Sequence, residues 1–317
     1  MSPYPTWAED LGHGVHAIDT GFQRPRFDAA YLVVQDGRAA FVDTGTNFAV
    51  PRLLGLLDAL GLARDAVDHV IPTHVHLDHA GGVGALMREL PAATLWVHPR
   101  GARHLIDPAQ LHAGALAVYG AEEMARSYGE LVPVPADRVR TTEDGGVITL
   151  AGRPLEVAHT PGHARHHHCL WDEATRGWFT GDTFGLSYRE FDSALGAWIV
   201  PTSTPVQFEP EALAASVRRL LARDPACMYL THYGRVTDVP RLGALFLSLL
   251  EETVRLVKTV TPGPHRHAAL VDRLTNLYVD SLKRHGCSAD RSQIVEGLSL
   301  DIELNAQGIG IWLDRNA

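Results

Sequence analysis

From Thr73 to Gly82 the chain reads Thr-His-Val-His-Leu-Asp-His-Ala-Gly-Gly, placing three imidazoles and one carboxylate within six positions, directly after Val70-Ile71-Pro72. A soluble core has no use for that composition, but a metal ion does. His74, His76 and His79 can offer neutral ring nitrogens and Asp78 a hard oxygen, a ligand mixture that suits zinc and tolerates iron or manganese. One ion would leave a ligand over. Neighbours in an extended segment point opposite ways, so His74 and His76 can aim at one ion. Asp78 and His79, past the bend into Gly81-Gly82, can aim at a second.

Two ions need further ligands from distant segments, carried at strand ends or turns where side chains can converge. His163 closes the turn signature His159-Thr160-Pro161-Gly162-His163 after the alternating segment Leu155 to Ala158, and is a good third ligand for the first ion. Asp182 follows Gly177-Trp178-Phe179-Thr180-Gly181, and its two carboxylate oxygens can bridge two ions. His232 follows Met228-Tyr229-Leu230-Thr231 and completes the second ion.

This ordered set, His-x-His-x-Asp-His, then Pro-Gly-His, then Gly-Asp-Thr, then Thr-His, resembles the metallo-β-lactamase superfamily, in the manner of its glyoxalase II-like metallohydrolases. The resemblance runs from the turn Asp43-Thr44-Gly45 to Thr231-His232. It implies an α/β chain folded as a four-layer αββα sandwich, with a catalytic domain over 1–240; residues 241–317 lie outside its motifs and read from their own pattern as a helical C-terminal extension. It also implies two divalent metal ions, zinc first, with His74, His76 and His163 on one, Asp78, His79 and His232 on the other, and Asp182 between them.

Two cations sharing one water lower its pKa toward neutrality, so a bridging hydroxide can attack without a strong base. Asp78 is then the catalytic proton carrier to the leaving group. The expected substrate is a small ester, thioester, lactone or amide. Glyoxalase-type thioesterases carry a glycine- and cysteine-rich stretch after Gly-Asp-Thr that Gly181 to Arg189 lacks. Lactonases of the superfamily place a tyrosine where Gly185 stands here, which leaves Tyr188 as the candidate substrate contact. The alternatives are a mononuclear iron oxidoreductase like the sulfur dioxygenases, and a phosphodiesterase, which would want a more basic surface. A flavodiiron protein would usually have Glu at the place of His76.

Short strands are expected at 15–18, 31–34, 39–42, 69–71, 95–97, 147–150, 155–158, 169–171 and 178–180, with Asp36-Gly37 as a hairpin turn. Leu53, Leu56, Leu57 and Leu60 recur at helical spacing before Gly61, and Val83, Leu86, Met87 and Leu90 mark a helix after the metal loop. A helical insertion is expected about 107–130, with Tyr119, Met124 and Tyr128 in local packing or at the cleft. Three late helices follow, over about 242–260, 268–285 and 298–313, and their apolar faces should cap the cleft and support self-association.

His166, His167 and His168 are expected to orient ligands or line the cleft rather than bind another ion. His159 should pack beneath its turn, His98, His104 and His112 should be solvated or face substrate, and His265 and His267 should lie on the surface.

With 28 basic and 37 acidic residues the formal charge is −9, which opposes attraction to phosphate backbones; no nucleic-acid partner is expected. Cys169, Cys227 and Cys287 are odd in number and widely spaced, so no disulfide framework is expected. Met1 to Asp10 lacks a basic region followed by an apolar stretch, and the longest apolar run, near Leu242 to Leu250, is too short to span a bilayer. A cytoplasmic enzyme acting on a small molecule, with no membrane contact, is therefore expected.

Overall fold

The computed structural model describes residues 4–203 and 206–316, so Met1 to Pro3 of the amino-terminal stretch lie outside the described residues. The chain forms two units. The first comprises Met1–His159, His166–Gly181 and Cys227–Arg235; the second comprises Thr160–Arg165, Asp182–Ala226 and Val236–Ala317.

The first unit is built on two sheets. One holds, in spatial order, β1 (Ala8–Asp10), β2 (Val15–Asp19), β3 (Ala29–Gln35), β4 (Arg38–Val42), β5 (Val67–Ile71), β6 (Thr94–Val97) and β7 (Val139–Thr141). Strands β1 to β4 are antiparallel, as short turns permit, whereas β4 to β7 are parallel. The β4–β5 crossover is the helix α1 (Val50–Leu60), which has Pro in its first turn and ends at Gly61 with φ +70°. The second sheet holds β8 (Val147–Leu150), β9 (Arg153–His159), β10 (His168–Asp172), β11 (Gly177–Gly181), β12 (Cys227–Leu230) and β13 (Gly234–Val236). It too is mixed, with β11 and β12 parallel.

Strand β3 shows how alternation builds two layers. Ala30 and Leu32 join the core shared with Leu53, Leu56 and Leu57 of α1, each fully buried; such a leucine contributes about 1.5–3 kcal/mol. Tyr31, between them, turns to the other sheet, where its ring meets Phe179 at 5.3 Å and Tyr229 at 5.6 Å, edge-on, and its hydroxyl donates to Leu230 O. After β5 the chain makes α2 (Leu77–Ala80) and α3 (Val83–Glu89), and after β6 the insertion forms α4 (Ala102–Ile106) and α5 (Ala109–Glu123), broken at Gly120 (φ +79°). Met124 and Tyr128 beyond it are buried.

The second unit consists of the Thr160–Arg165 turn, the segment that begins at Asp182 and the helices α6 (Pro210–Leu221), α7 (Val239–Val257), α8 (Arg266–Arg284), α9 (Arg291–Gly297) and α10 (Ser299–Arg315). The three late helices expected from sequence are α7, α8 and α10; α6 and α9 were not foreseen. Their apolar faces bury against the segment that continues from Asp182. Phe184 stacks on Phe246 at 5.8 Å, and Trp198 Nε1 donates to Ser281 Oγ at 2.9 Å. Asn305 of α10 accepts from Ser203 N at 2.6 Å and donates to the Tyr278 hydroxyl at 3.1 Å. Among the described residues no helix is long and apolar enough to cross a membrane.

Candidate metal centre

In the first unit Asp43, the residue after β4, organises the loop that follows β5. Its backbone is left-handed (φ +57°) and its carboxylate is buried, a conformation that Asp tolerates better than most residues. Oδ1 accepts from Thr73 N at 2.7 Å and Oδ2 from Thr231 Oγ1 at 2.8 Å, so one carboxylate joins the loop after β5 to the end of β12. His79 Nδ1 lies 2.9 Å from Asp43 Oδ2. That bond fixes the tautomer with the proton on Nδ1 and leaves the Nε2 lone pair for another partner.

His232 is fixed in the same sense. Its Nδ1 lies 3.2 Å from Phe27 O, and its Nε2 stands 3.3 Å from Asp78 Oδ2. His79 Nε2 is 3.7 Å from the same oxygen. A tetrahedral ion with ligands at about 2.0–2.1 Å separates its donor atoms by roughly 3.4 Å. Asp78, His79 and His232 thus offer one oxygen and two nitrogens at spacings that fit a zinc-sized cation.

His74 and His76 lie at the start of the same loop, with Nε2 of the first 2.8 Å from Nδ1 of the second. His74 is fully buried and His76 partly so. The His167 ring stacks on His74 at 4.7 Å and His166 on the same ring at 6.1 Å. His168 points elsewhere: Nε2 lies 3.0 Å from Pro72 O and Nδ1 2.9 Å from the Thr142 hydroxyl, which ties β10 to the entry of the ligand loop. Burial, then neighbouring histidines, pushes His166 down to about 2 and His168 down to about 3, so both rings are neutral at pH 7. His98, pushed by burial to about 4, packs against His159 at 4.2 Å; His112, His265 and His267 are exposed.

Gly181 ends β11 at φ +46°; a Cβ there would come within 2.4 Å of Thr73 Oγ1 and 2.7 Å of His167 Nε2. Only glycine lets the strand pass that close to the ligand loop. His167→Ala removes a ring stacked on His74 but none of the Asp43 or Phe27 bonds. The variant is therefore expected to fold and keep its metal while losing about 10- to 100-fold in turnover, measured by metal content beside kcat/KM; loss of metal would instead make His167 a ligand.

His163 and Asp182 belong to the second unit. Both are buried, with His163 Nε2 3.4 Å from Asp182 Oδ2, again the edge length of a small coordination sphere. Helix α6 shapes the His163 turn: Ser216 Oγ donates to Pro161 O at 2.7 Å, and Glu209 N donates to Gly162 O at 2.7 Å. Gly162 (φ +138°) has no room for a Cβ, which would lie 2.3 Å from the Leu213 backbone. Tyr188, the candidate substrate contact, is packed inside the second unit. It is 1% exposed and its hydroxyl donates to Asp301 Oδ1 at 3.1 Å, a bond that holds the post-Asp182 segment to α10.

Two features escaped the sequence reading. A cleft of about 350 Å3 in the first unit is lined by residues including Phe22, Phe48, Thr20, Gln23 and Thr46, and a run of rings joins it to the ligands: Phe22 packs on Phe27 at 5.9 Å, and Phe27 meets His232 edge-on at 5.6 Å. The other is Asp28, a fully buried acid at the head of an otherwise apolar strand.

Comparison with known proteins agrees with this geometry. The family model described as "Metallo-beta-lactamase superfamily" matches residues 24–232. A metallo-β-lactamase fold-containing protein of Sulfurisphaera tokodaii is 25% identical over 71% of this chain and 80% of its own length. An acyl-coenzyme A thioesterase of Homo sapiens is 28% identical over 60% of this chain and 68% of its own. The solved structure of an archaeal metallo-β-lactamase superfamily protein from Sulfolobus tokodaii superposes with a TM-score of 0.61 at 22% identity, covering 86% of this chain and 99% of that one. The fold is thus the αββα arrangement with two mixed sheets and C-terminal helices.

Proposed function

This chain belongs to the metallo-β-lactamase superfamily, and from that premise we propose that it is a binuclear metal-dependent hydrolase of a small ester, thioester, lactone or amide. The observation that carries the reading is the Asp78, His79 and His232 set, whose two Nδ1 atoms are tied off so that both Nε2 atoms face one carboxylate oxygen. In this reading His74, His76 and His163 hold the other ion and Asp182 is shared by both. Zinc suits the donor set first, with iron or manganese tolerated. When bound, the ions supply an acidified water and polarise the scissile carbonyl.

The chain's own residues do the rest. Asp78 is partly solvent-accessible, so its carboxylate can take a proton from the attacking water and return it to the departing alkoxide, thiolate or amine. The cleft lined by Phe22, Phe48 and Arg126 has the size of a small ligand and is linked to His232 through the Phe27 ring. Membership of the superfamily supports hydrolysis, and the human acyl-coenzyme A thioesterase among the relatives gives weight to the thioester arm. The net charge of −9 supports neither a nucleic-acid partner nor a phosphodiester substrate, and self-association through the late helices is part of the proposal.

The test is metal analysis of protein purified without added metal, paired with a panel of esters, thioesters, lactones and phosphodiesters. About two zinc ions per chain with turnover of a carboxylic substrate are expected. One iron with oxygen uptake would overturn the reading in favour of an oxidoreductase, and turnover confined to phosphodiesters would overturn the substrate class.

A further inference from the structure

Behind the second candidate cation position lies a carboxylate that the proposed chemistry does not use. Asp28 is 0% exposed. Its Oδ2 accepts from Thr20 Oγ1 at 3.3 Å, while its Oδ1 has no hydrogen-bond partner among the described residues and stands 4.0 Å from His232 Nδ1. The segment that carries it runs along the His232 loop: Ala29 N donates to Thr231 O at 2.8 Å, and Phe27 O is the partner of His232 Nδ1.

An ionised carboxylate withdrawn from water without compensation costs several kcal/mol, so a buried acid either holds a proton or stands against a positive charge. Asp28 stands against His232, whose far side faces Asp78, and the same Asp78 oxygen faces His79, which is backed in turn by Asp43. Three of these five groups are acids. Both histidines carry tautomers that leave Nε2 unprotonated toward Asp78, so they do not balance the acids. A divalent cation between Asp78, His79 and His232 does.

We propose that Asp28 is a positioning residue for that cation: its buried carboxylate lies against the back of His232, beside the Phe27 carbonyl that takes the Nδ1 hydrogen, and offsets the positive charge reaching it through the ring. The inference rests on the binuclear reading above for the identity of the site, but on the geometry of the first unit alone for the role. Asp28→Asn keeps the shape and the Thr20 bond while removing the charge.

The experiment is competitive metal titration of the full chain against a chromophoric chelator, for the wild type, Asp28→Asn and the milder Thr20→Val, with folding followed by near-ultraviolet circular dichroism. Asp28→Asn should weaken one of two zinc ions by about 10- to 100-fold and leave the other within a few fold, as removal of an outer partner of a ligating histidine does. Stripped of metal, it should melt no lower than the stripped wild type, because a buried charge has gone. Thr20→Val should shift the same ion in the same direction by less, and it decides the question if Asp28→Asn does not fold. Wild-type affinity for both ions in a folded variant would overturn the role. A wild type that binds a single ion would defeat the binuclear reading, and the assignment would then stand only if Asp28→Asn still weakens that ion.

Discussion

Replacing Asp43 with alanine is expected to unfold or severely weaken the metal-free protein and to abolish tight metal binding. One carboxylate accepts from Thr73 N, Thr73 Oγ1, His79 Nδ1 and Thr231 Oγ1, all buried. Leaving a buried donor unsatisfied costs about 1–3 kcal/mol, and four of them cannot all turn to solvent. A loss of at least about 3–5 kcal/mol follows, comparable to breaking one side of a buried ion pair and a large part of an ordinary domain's stability. Where folded protein survives, His79 is free to choose either tautomer, and affinity for the ion at Asp78, His79 and His232 should fall by at least about 10- to 100-fold. Asp43→Asn separates the two effects. The amide keeps one acceptor oxygen and the volume, so it should recover much of the stability but little of the affinity. Urea unfolding of stripped protein and zinc titration measure the pair, and an Asp43→Ala variant with wild-type midpoint and affinity would show that the ligand loop is held by other means.

Much of the first unit is legible in its sequence because local pattern and tertiary demand agree there. Strand β3 alternates residues for the helix side and the sheet side, and α1 carries leucines at helical spacing up to a left-handed Gly61. The ligand loop is legible for another reason: its composition is costly anywhere but at a metal site. Other parts are opaque. Helix α6 was not foreseen; it opens on Pro210, and a proline taken alone is a helix breaker. Yet Pro210 sits in the first turn, where its missing N–H costs nothing. Strands β1, β7 and β13 have three residues each, too few for an alternation to show, and depend on their neighbours' ladders. Asp28 resembles any acid before a strand until His232, far away in sequence, is placed against it. The burial of Tyr188 was not legible because the distance from Asp182 says where a side chain starts, and the helices that bury it lie at the other end of the chain.

Asp182 carries the other large effect, and it bears on the binuclear reading as a whole. The carboxylate is 3% exposed, follows a glycine that no other residue could replace without collision, and lies 3.4 Å from His163 Nε2. As the proposed shared ligand it binds each ion and lowers the repulsion between them. Asp182→Ala should therefore remove more than one coordination bond: zinc content should drop from about two ions toward one or none. Each ion lost takes with it several kcal/mol of transition-state stabilisation. At about 1.4 kcal/mol per tenfold, turnover should fall by roughly 10²- to 10⁴-fold. The fold should outlast the site, because the segment after Asp182 is held independently by the Phe184–Phe246 stack and by the Tyr188 and Trp198 hydrogen bonds. That separation makes the experiment decisive. Circular dichroism and the melting temperature of stripped protein should match the wild type, while metal content and kcat/KM fall together across a zinc titration. If the variant kept two ions and its rate, Asp182 would not be shared between them; if it lost rate but kept both ions, its part would lie in handling the proton or the substrate.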